Sequence, residues 1–141
     1  MIGLPACGGG TTTPNPPPTT QPPAPVTSVV FQSTLALAPE DGGIGDFSIP
    51  NSGLVRVTLD WTFPTNDLVY FVFSGTTCTD FVTFFQNGAA PGCTLLAQHV
   101  ALGVKPAVVT FNVNAGQNAR ILILNLGERE ESGVVQITLT R

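Results

Sequence analysis

Charge is scarce in this chain. Of its 141 residues only 10% are Asp, Glu, Lys or Arg, against roughly a quarter in an average soluble domain. Five Lys and Arg in a chain of net charge −4 cannot line a phosphate-binding stripe, which argues against a nucleic-acid partner. Long apolar runs are missing too. Thr, Asn, Gly or Pro interrupts each within ten residues, short of the roughly 18 that a spanning helix needs. Histidine occurs once, as His99, and no two His or Cys stand at ligand spacing, which excludes most zinc and haem sites. The sequence contains no Gly-x-Ser-x-Gly elbow, and His99 sits beside Val100 and Ala101 without a nucleophile to serve. Asp60, Asp67 and Asp80 are carboxylates of the kind glycoside hydrolysis needs, but nothing fixes any two of them as a pair. The chain reads as non-enzymatic.

Proline and glycine are abundant and unevenly placed. Residues 1–26 carry no charge and hold Pro5, Pro14, Pro16, Pro17, Pro18, Pro22, Pro23 and Pro25, eight of the thirteen prolines. Such a tract lacks the apolar side chains that offset ordering entropy, and its fixed φ angles favour extended polyproline II. It is expected to be a disordered linker, with Thr11 to Pro25 able to span ~45 Å at ~3.1 Å per residue. The division expected is therefore a linker over 1–26 and one domain over 27–141.

Ahead of that tract, Leu4-Pro5-Ala6-Cys7-Gly8 resembles a bacterial lipobox, with Gly8, Gly9 and Gly10 as a leash. The resemblance implies that Cys7 is a lipid anchor, that membrane attachment is by that lipid only, and that the protein is an exported, extracytoplasmic lipoprotein of a bacterial envelope. Only six residues precede Cys7 and none is basic, whereas a secretory signal needs a basic segment and then about 7 to 15 apolar residues. The lipoprotein reading therefore requires further residues upstream of Met1; otherwise Cys7 is a free thiol in a tail.

After Val26 the sequence becomes β-rich. Strands are expected over Ser28–Ala38, Gly45–Ile49, Leu54–Phe63, Asp67–Ser74, Thr94–Leu102, Ala107–Val113, Asn118–Leu126 and Val134–Thr140, separated by Gly, Asn, Asp and Pro turn signals. Leu54 to Trp61 and Val134 to Thr140 alternate, each with one wet and one dry face. Leu68 to Phe73 and Ile121 to Leu124 are apolar on both sides, as at a sheet centre covered on both faces or at a contact surface. No window reads as an amphipathic helix. Eight short strands in this length describe an all-β, antiparallel β-sandwich of jelly-roll type.

Cys78 and Cys93 both lie in Gly/Thr/Pro-rich loop sequence, and a disulfide between them is expected in an oxidising compartment. It would contribute ~3 kcal/mol by closing the loop in the unfolded state. The loop it cinches contains Phe81, Val82, Phe84 and Phe85, expected to form a small satellite core, with an exposed contact patch as the alternative. Glu128-Arg129-Glu130-Glu131 lies between two strands, where charge keeps a hairpin tip soluble.

Several segments together resemble the bacterial pre-peptidase C-terminal domain, a secreted β-sandwich found beside exported enzymes. They are Val57-Thr58-Leu59-Asp60-Trp61, Asn66-Asp67-Leu68-Val69-Tyr70, Gly92 to Ala97, Val109 to Gly116, Arg120 to Leu126 and Ser132 to Leu139. The resemblance covers about residues 29 to 141 and implies an accessory role. In that family an Asp-Leu-Asp-Leu-Tyr run helps some members bind calcium, but Val69 stands here in place of the second Asp.

Three functions follow from these residues. The first is a non-catalytic surface or accessory module, tethered through Cys7, whose partner is a cell-surface protein or glycan. The second is a carbohydrate- or calcium-binding module. Its aromatic contacts would be Trp61, Tyr70, Phe84 and Phe85, although Trp61 ending an amphipathic strand equally suits a core. Its calcium ligands would be Asp60, Asn66 and Asp67, or Glu40, Asp41 and Asp46, the same residues that serve as ordinary turn formers. The third is an assembly subunit in which strand Val29–Leu37 pairs with a neighbouring chain.

Overall fold

The structure is a computed structural model and describes residues 3–4 and 8–141. Cys7, the expected lipid anchor, lies outside the described residues. From Gly8 to Val26 the chain is exposed and carries no helix or strand.

Eight strands follow: β1 Thr27–Leu37, β2 Gly42–Ile49, β3 Gly53–Trp61, β4 Leu68–Ser74, β5 Thr94–His99, β6 Ala107–Val113, β7 Gln117–Asn125 and β8 Glu131–Thr140, with one helix, α1 Phe81–Asn87, between β4 and β5. The pairing is nested. β4 pairs with β5, β3 with β6, β2 with β7 and β1 with β8, all antiparallel, as in one long hairpin. That hairpin then rolls up when β3 pairs with β8 and β4 with β7. The result is two four-stranded sheets, β1-β8-β3-β6 and β2-β7-β4-β5, the jelly-roll arrangement expected from the sequence.

Period-two alternation explains the layers. Val55, Val57, Leu59 and Trp61 on β3 and Val135, Ile137 and Leu139 on β8 point inward and meet Ile49, Leu68, Tyr70, Val72 and Ile121 from the other sheet. The two runs that are apolar on both sides are β4 and β7, the central strands of the second sheet. Their outward residues Val69, Phe71, Phe73 and Leu122 form a second core with Phe84 and Cys78, under α1.

The helix departs from expectation. Asp80 caps its start by accepting from the Thr83 N–H at 3.0 Å, and Gly88 ends it at φ 74° while donating to the Phe84 carbonyl. Seven residues are too few to show a 3.6-residue period, so the segment reads as loop. Strand ends also move: β2 begins at Gly42 rather than Gly45, because Gly42 and Gly43 pair with Leu124 and Ile123 instead of turning. β8 begins at Glu131 rather than Val134, which takes Glu131 out of the hairpin tip.

Candidate functional site

The strand registers sort the loops into two ends. β1 starts with Thr27 beside Thr140 and finishes with Leu37 beside Glu131. Val26, where the linker enters, exchanges backbone hydrogen bonds with Arg141 at 2.9 and 3.0 Å. The connections β1–β2, β3–β4, β5–β6 and β7–β8 all gather at the opposite end, beside Glu131.

This four-loop end is tied together by buried polar groups. Glu131 is 1% exposed. Its carboxylate accepts from the backbone N–H groups of Thr62 at 2.8 Å, Phe63 at 3.3 Å and Ser132 at 3.1 Å, and from Asn66 Nδ2 at 3.1 Å. Burial alone would raise the carboxyl, but the Asn66 amide and these N–H groups outweigh it and hold Glu131 below the usual carboxylate range. Asn125, also buried, donates through Nδ2 to the carbonyls of Leu37, Ala38 and Arg129 at 3.2, 3.1 and 2.7 Å. Asp67 accepts from the Gly103 N–H at 2.7 Å, and Lys105 Nζ reaches Asp60 at 2.8 Å. Each of the four loops is thereby bonded to another.

On this base stand apolar side chains left in solvent: Phe63, Val100, Leu102, Val104 and Leu126, of which Leu102 is the most open at 61%. Acidic residues share the surface. Glu40, Asp41, Asp60, Asp67, Glu128, Glu130 and the buried Glu131 are seven of the nine in the chain, with Lys105 and Arg129 the only bases beside them. The Arg129 guanidinium lies 5.5 Å from the Phe63 ring centre. A shallow depression of about 260 Å³ opens between Thr65, Asn66 and Gly127 to Arg129.

The structure gives most residues singled out from the sequence structural partners. Trp61 is buried, and its Nε1 donates to the carbonyls of Phe63 at 3.0 Å and Asn66 at 2.9 Å, so it fastens the β3–β4 loop to the core. Tyr70 is fully buried, its hydroxyl donating to Val57 and Ala107 carbonyls at 3.2 and 3.3 Å, and burial pushes its pKa up. Neither ring is available as a ligand platform. Phe84 is buried edge-on against Phe73, while Phe85 stays half in solvent over Phe71. The Phe81–Phe85 segment is thus the satellite core, with Val82 and Phe85 on its open side.

Five of the six calcium candidates have partners within the fold. Asp60 is engaged by Lys105, Asp67 by Gly103, Asn66 by Glu131 and Asp41 by the Gly42 N–H. Asp46 takes a bidentate pair from Arg120 at 2.7 and 2.8 Å on the outer face of the second sheet, and Glu40 stands in the β1–β2 turn. Among the described residues no cluster of three His, Cys, Asp or Glu is placed to hold a metal. His99 stacks on Tyr70 with ring centres 5.7 Å apart, and its Nδ1 has no hydrogen-bond partner among the described residues. Cys78 and Cys93 form the expected disulfide, with Cα atoms 4.4 Å apart, and Arg120 also donates to the Cys78 carbonyl.

Glu131 and Asn125 are the residues that sequence reasoning missed. Glu131 continues the inward phase of Val135, Ile137 and Leu139 at odd positions, a signal hidden by its three charged neighbours.

No family model matches the chain, and no curated protein matches it. Among solved structures, the chain is similar to a carbohydrate-binding module of Cellvibrio mixtus lichenase 5A in complex with cellotriose, at 13% identity and TM-score 0.44, over 82% of this chain and 91% of that one. It is also similar to PirA, at 18% identity and TM-score 0.42, over 79% and 94%. A third similarity is to a chain of Tomato Aspermy Virus, at 14% identity and TM-score 0.36, over 78% and 77%.

Proposed function

We propose that the chain is a non-catalytic recognition module of a bacterial cell envelope, tethered by a lipid on Cys7, with Thr11 to Pro25 as stalk and the four-loop end as contact surface. The observation that carries this reading is polarity of position: the linker enters beside Arg141, and the loops fixed by Glu131, Asn66 and Asn125 present Phe63, Leu102 and Leu126 at the other end. Apolar side chains ringed by acids suit an interface with an apolar centre and a charged rim, so the partner is a surface protein with a basic rim. The disulfide supports an oxidising compartment outside the cytoplasm.

Two measurements test it. Intact mass of the protein recovered from membranes should begin at Cys7 with added acyl chains; an unmodified Cys7 overturns the tether. Backbone amide spectra titrated with a basic amphipathic peptide should shift at Phe63, Leu102, Leu126 and Gly127, with the effect fading as salt rises. Shifts produced instead by soluble peptidoglycan fragments, centred on Phe63, would make the ligand a glycan.

A second reading, an assembly subunit, is favoured by β1. This strand lies at the edge of its sheet, its second side unpaired among the described residues, and its eleven residues include no charge or proline to guard that side.

A further inference from the structure

The first charged residue of the chain is Glu40, so the linker and all of β1 are uncharged. β1 is also lightly held. Only Leu37 of its eleven residues is buried, with Val30, Phe31 and Leu35 partly covered, and among the described residues its backbone pairs with β8 alone. The ladder itself is broken by a bulge between Val29 and Phe31.

Across the seam from β1 lies β2, whose inward positions 43 and 45 are glycines. A Cβ at Gly45 would come within 2.7 Å of Phe31 Cζ, and one at Gly43 within 3.3 Å of Leu37 Cδ2. The seat of β1 is therefore shaped by missing side chains on β2, beside a cleft of about 310 Å³ lined by Phe31, Leu35, Leu37, Gly43 and Gly45. From β2, buried Phe47 meets β1, its ring centre 5.6 Å from that of Phe31, while positions 43 and 45 offer no side chain to hold the strand.

The connection from β1 to β2 is strained. Ala38 to Asp41 form a four-residue turn closed by the Asp41 N–H on the Ala38 carbonyl at 3.2 Å. Pro39 occupies its second position and Glu40 its third, at φ 57°. A third-position residue at positive φ is normally Gly or Asn, because a Cβ there crowds the following carbonyl. Glu40 is the single non-glycine residue at positive φ among the described residues. Opening this turn relieves that crowding, and Pro39 favours an extended chain before it.

We infer that β1 exchanges between two copies of this chain, the β1 of each pairing with the β8 of the other, with residues 38–41 opening into the hinge. This rests on the assembly reading and replaces simple edge addition by strand exchange. Every β1–β8 contact of the monomer is re-formed in the dimer, so the balance is set by the hinge.

The exposed pair Gln32 and Gln136 reports on this directly, since the two residues are register partners with Gln136 Nε2 donating to Gln32 Oε1 at 3.1 Å. In the full chain carrying Cys7→Ser, one preparation has Gln32→Cys and another Gln136→Cys. The two are mixed at high concentration, incubated and oxidised. Disulfides between the two different chains are expected in excess over those between identical chains, because exchange lays the β1 of one on the β8 of the other. Adding Glu40→Gly to both should lower the crosslinked fraction about tenfold or more, since it relieves the turn in the monomer alone. Crosslinks only between two Gln32→Cys chains would overturn exchange and leave edge addition standing. No crosslink, with a particle mass of 14.7 kDa at every concentration, would overturn both.

Discussion

Asn66 of the β3–β4 loop and Asn125 at the end of β7 both donate to the same acceptor, the carbonyl of Arg129, at 3.3 and 2.7 Å. Through that one oxygen the β3–β4 and β7–β8 connections share a fixed point, and Asn125 carries it on to the β1–β2 turn through Leu37 and Ala38. The surface above therefore stands on a base of hydrogen bonds shared between loops.

Glu131 makes that end sensitive to acid. Its carboxyl is held below the range it has in the unfolded chain, so the stability it supplies is complete above the unfolded value, about 4.5, and is lost as pH falls through the folded one. Unfolding free energy measured in urea should fall from pH 6 to pH 3. Glu131→Gln should cost about 1.5–3 kcal/mol at pH 7 and make the fall shallower. An unchanged slope in the variant would mean that Glu131 does not carry the effect.

Gly127 is the spatial complement of Asn66. A Cβ there would lie 1.1 Å from Asn66 Oδ1, inside the buried amide. Gly127→Ala should therefore expel Asn66, break its bond to Glu131 and loosen all four loops, while leaving β2, β3 and the disulfide intact. Hydrogen exchange checks this: faster exchange is expected at Thr62, Phe63, Asn66 and Ser132, with Val57 and Ile121 unaffected.

Reduction of the Cys78–Cys93 bond should cost about 3 kcal/mol, as the loop it closes regains its unfolded freedom. Because that loop holds α1 over Phe71, Phe73 and Leu122, reduced protein should also expose the outer core and bind an apolar dye such as ANS. Urea titrations with and without reductant measure the first effect, and dye fluorescence the second. The loop end lies at the opposite pole and should keep its exchange protection.

Arg120 on β7 joins β2 to the loop between β4 and α1, since its guanidinium pairs with Asp46 on β2 and donates to the Cys78 carbonyl. The hydrogen bond from Arg120 holds the Asp46 carboxyl below its ordinary value. Arg120→Met should lower stability at pH 7 by about 1 kcal/mol, and the loss should shrink as acid protonates Asp46, leaving only the part owed to the Cys78 carbonyl. Thermal melts at pH 7 and pH 3 check the contrast.

The strands were legible because period-two alternation depends only on neighbours. Val55, Val57, Leu59 and Trp61 announce an inward face, and the doubly apolar runs of β4 and β7 announce the sheet whose outer face is also covered. The loop end was not legible, because its bonds join residues far apart: Asn66 and Glu131 are 65 positions apart, and Asn125 reaches Ala38 across 87. Glu131 looked like one charge in a soluble tip, although its phase matched the core. Trp61 and Tyr70 looked like possible ligand platforms, but the carbonyls that satisfy their polar atoms become neighbours only when the hairpin rolls up.

A photo-crosslinking scan in intact cells tests most directly whether the loop end is the contact surface. A photoreactive side chain would be placed at Leu102 or Leu126 on the loop end, and at Leu54 or Thr110 on the outer face of the first sheet. Adducts from Leu102 and Leu126 only are the predicted result. Adducts from Leu54 and Thr110, with none from the loop end, would contradict it.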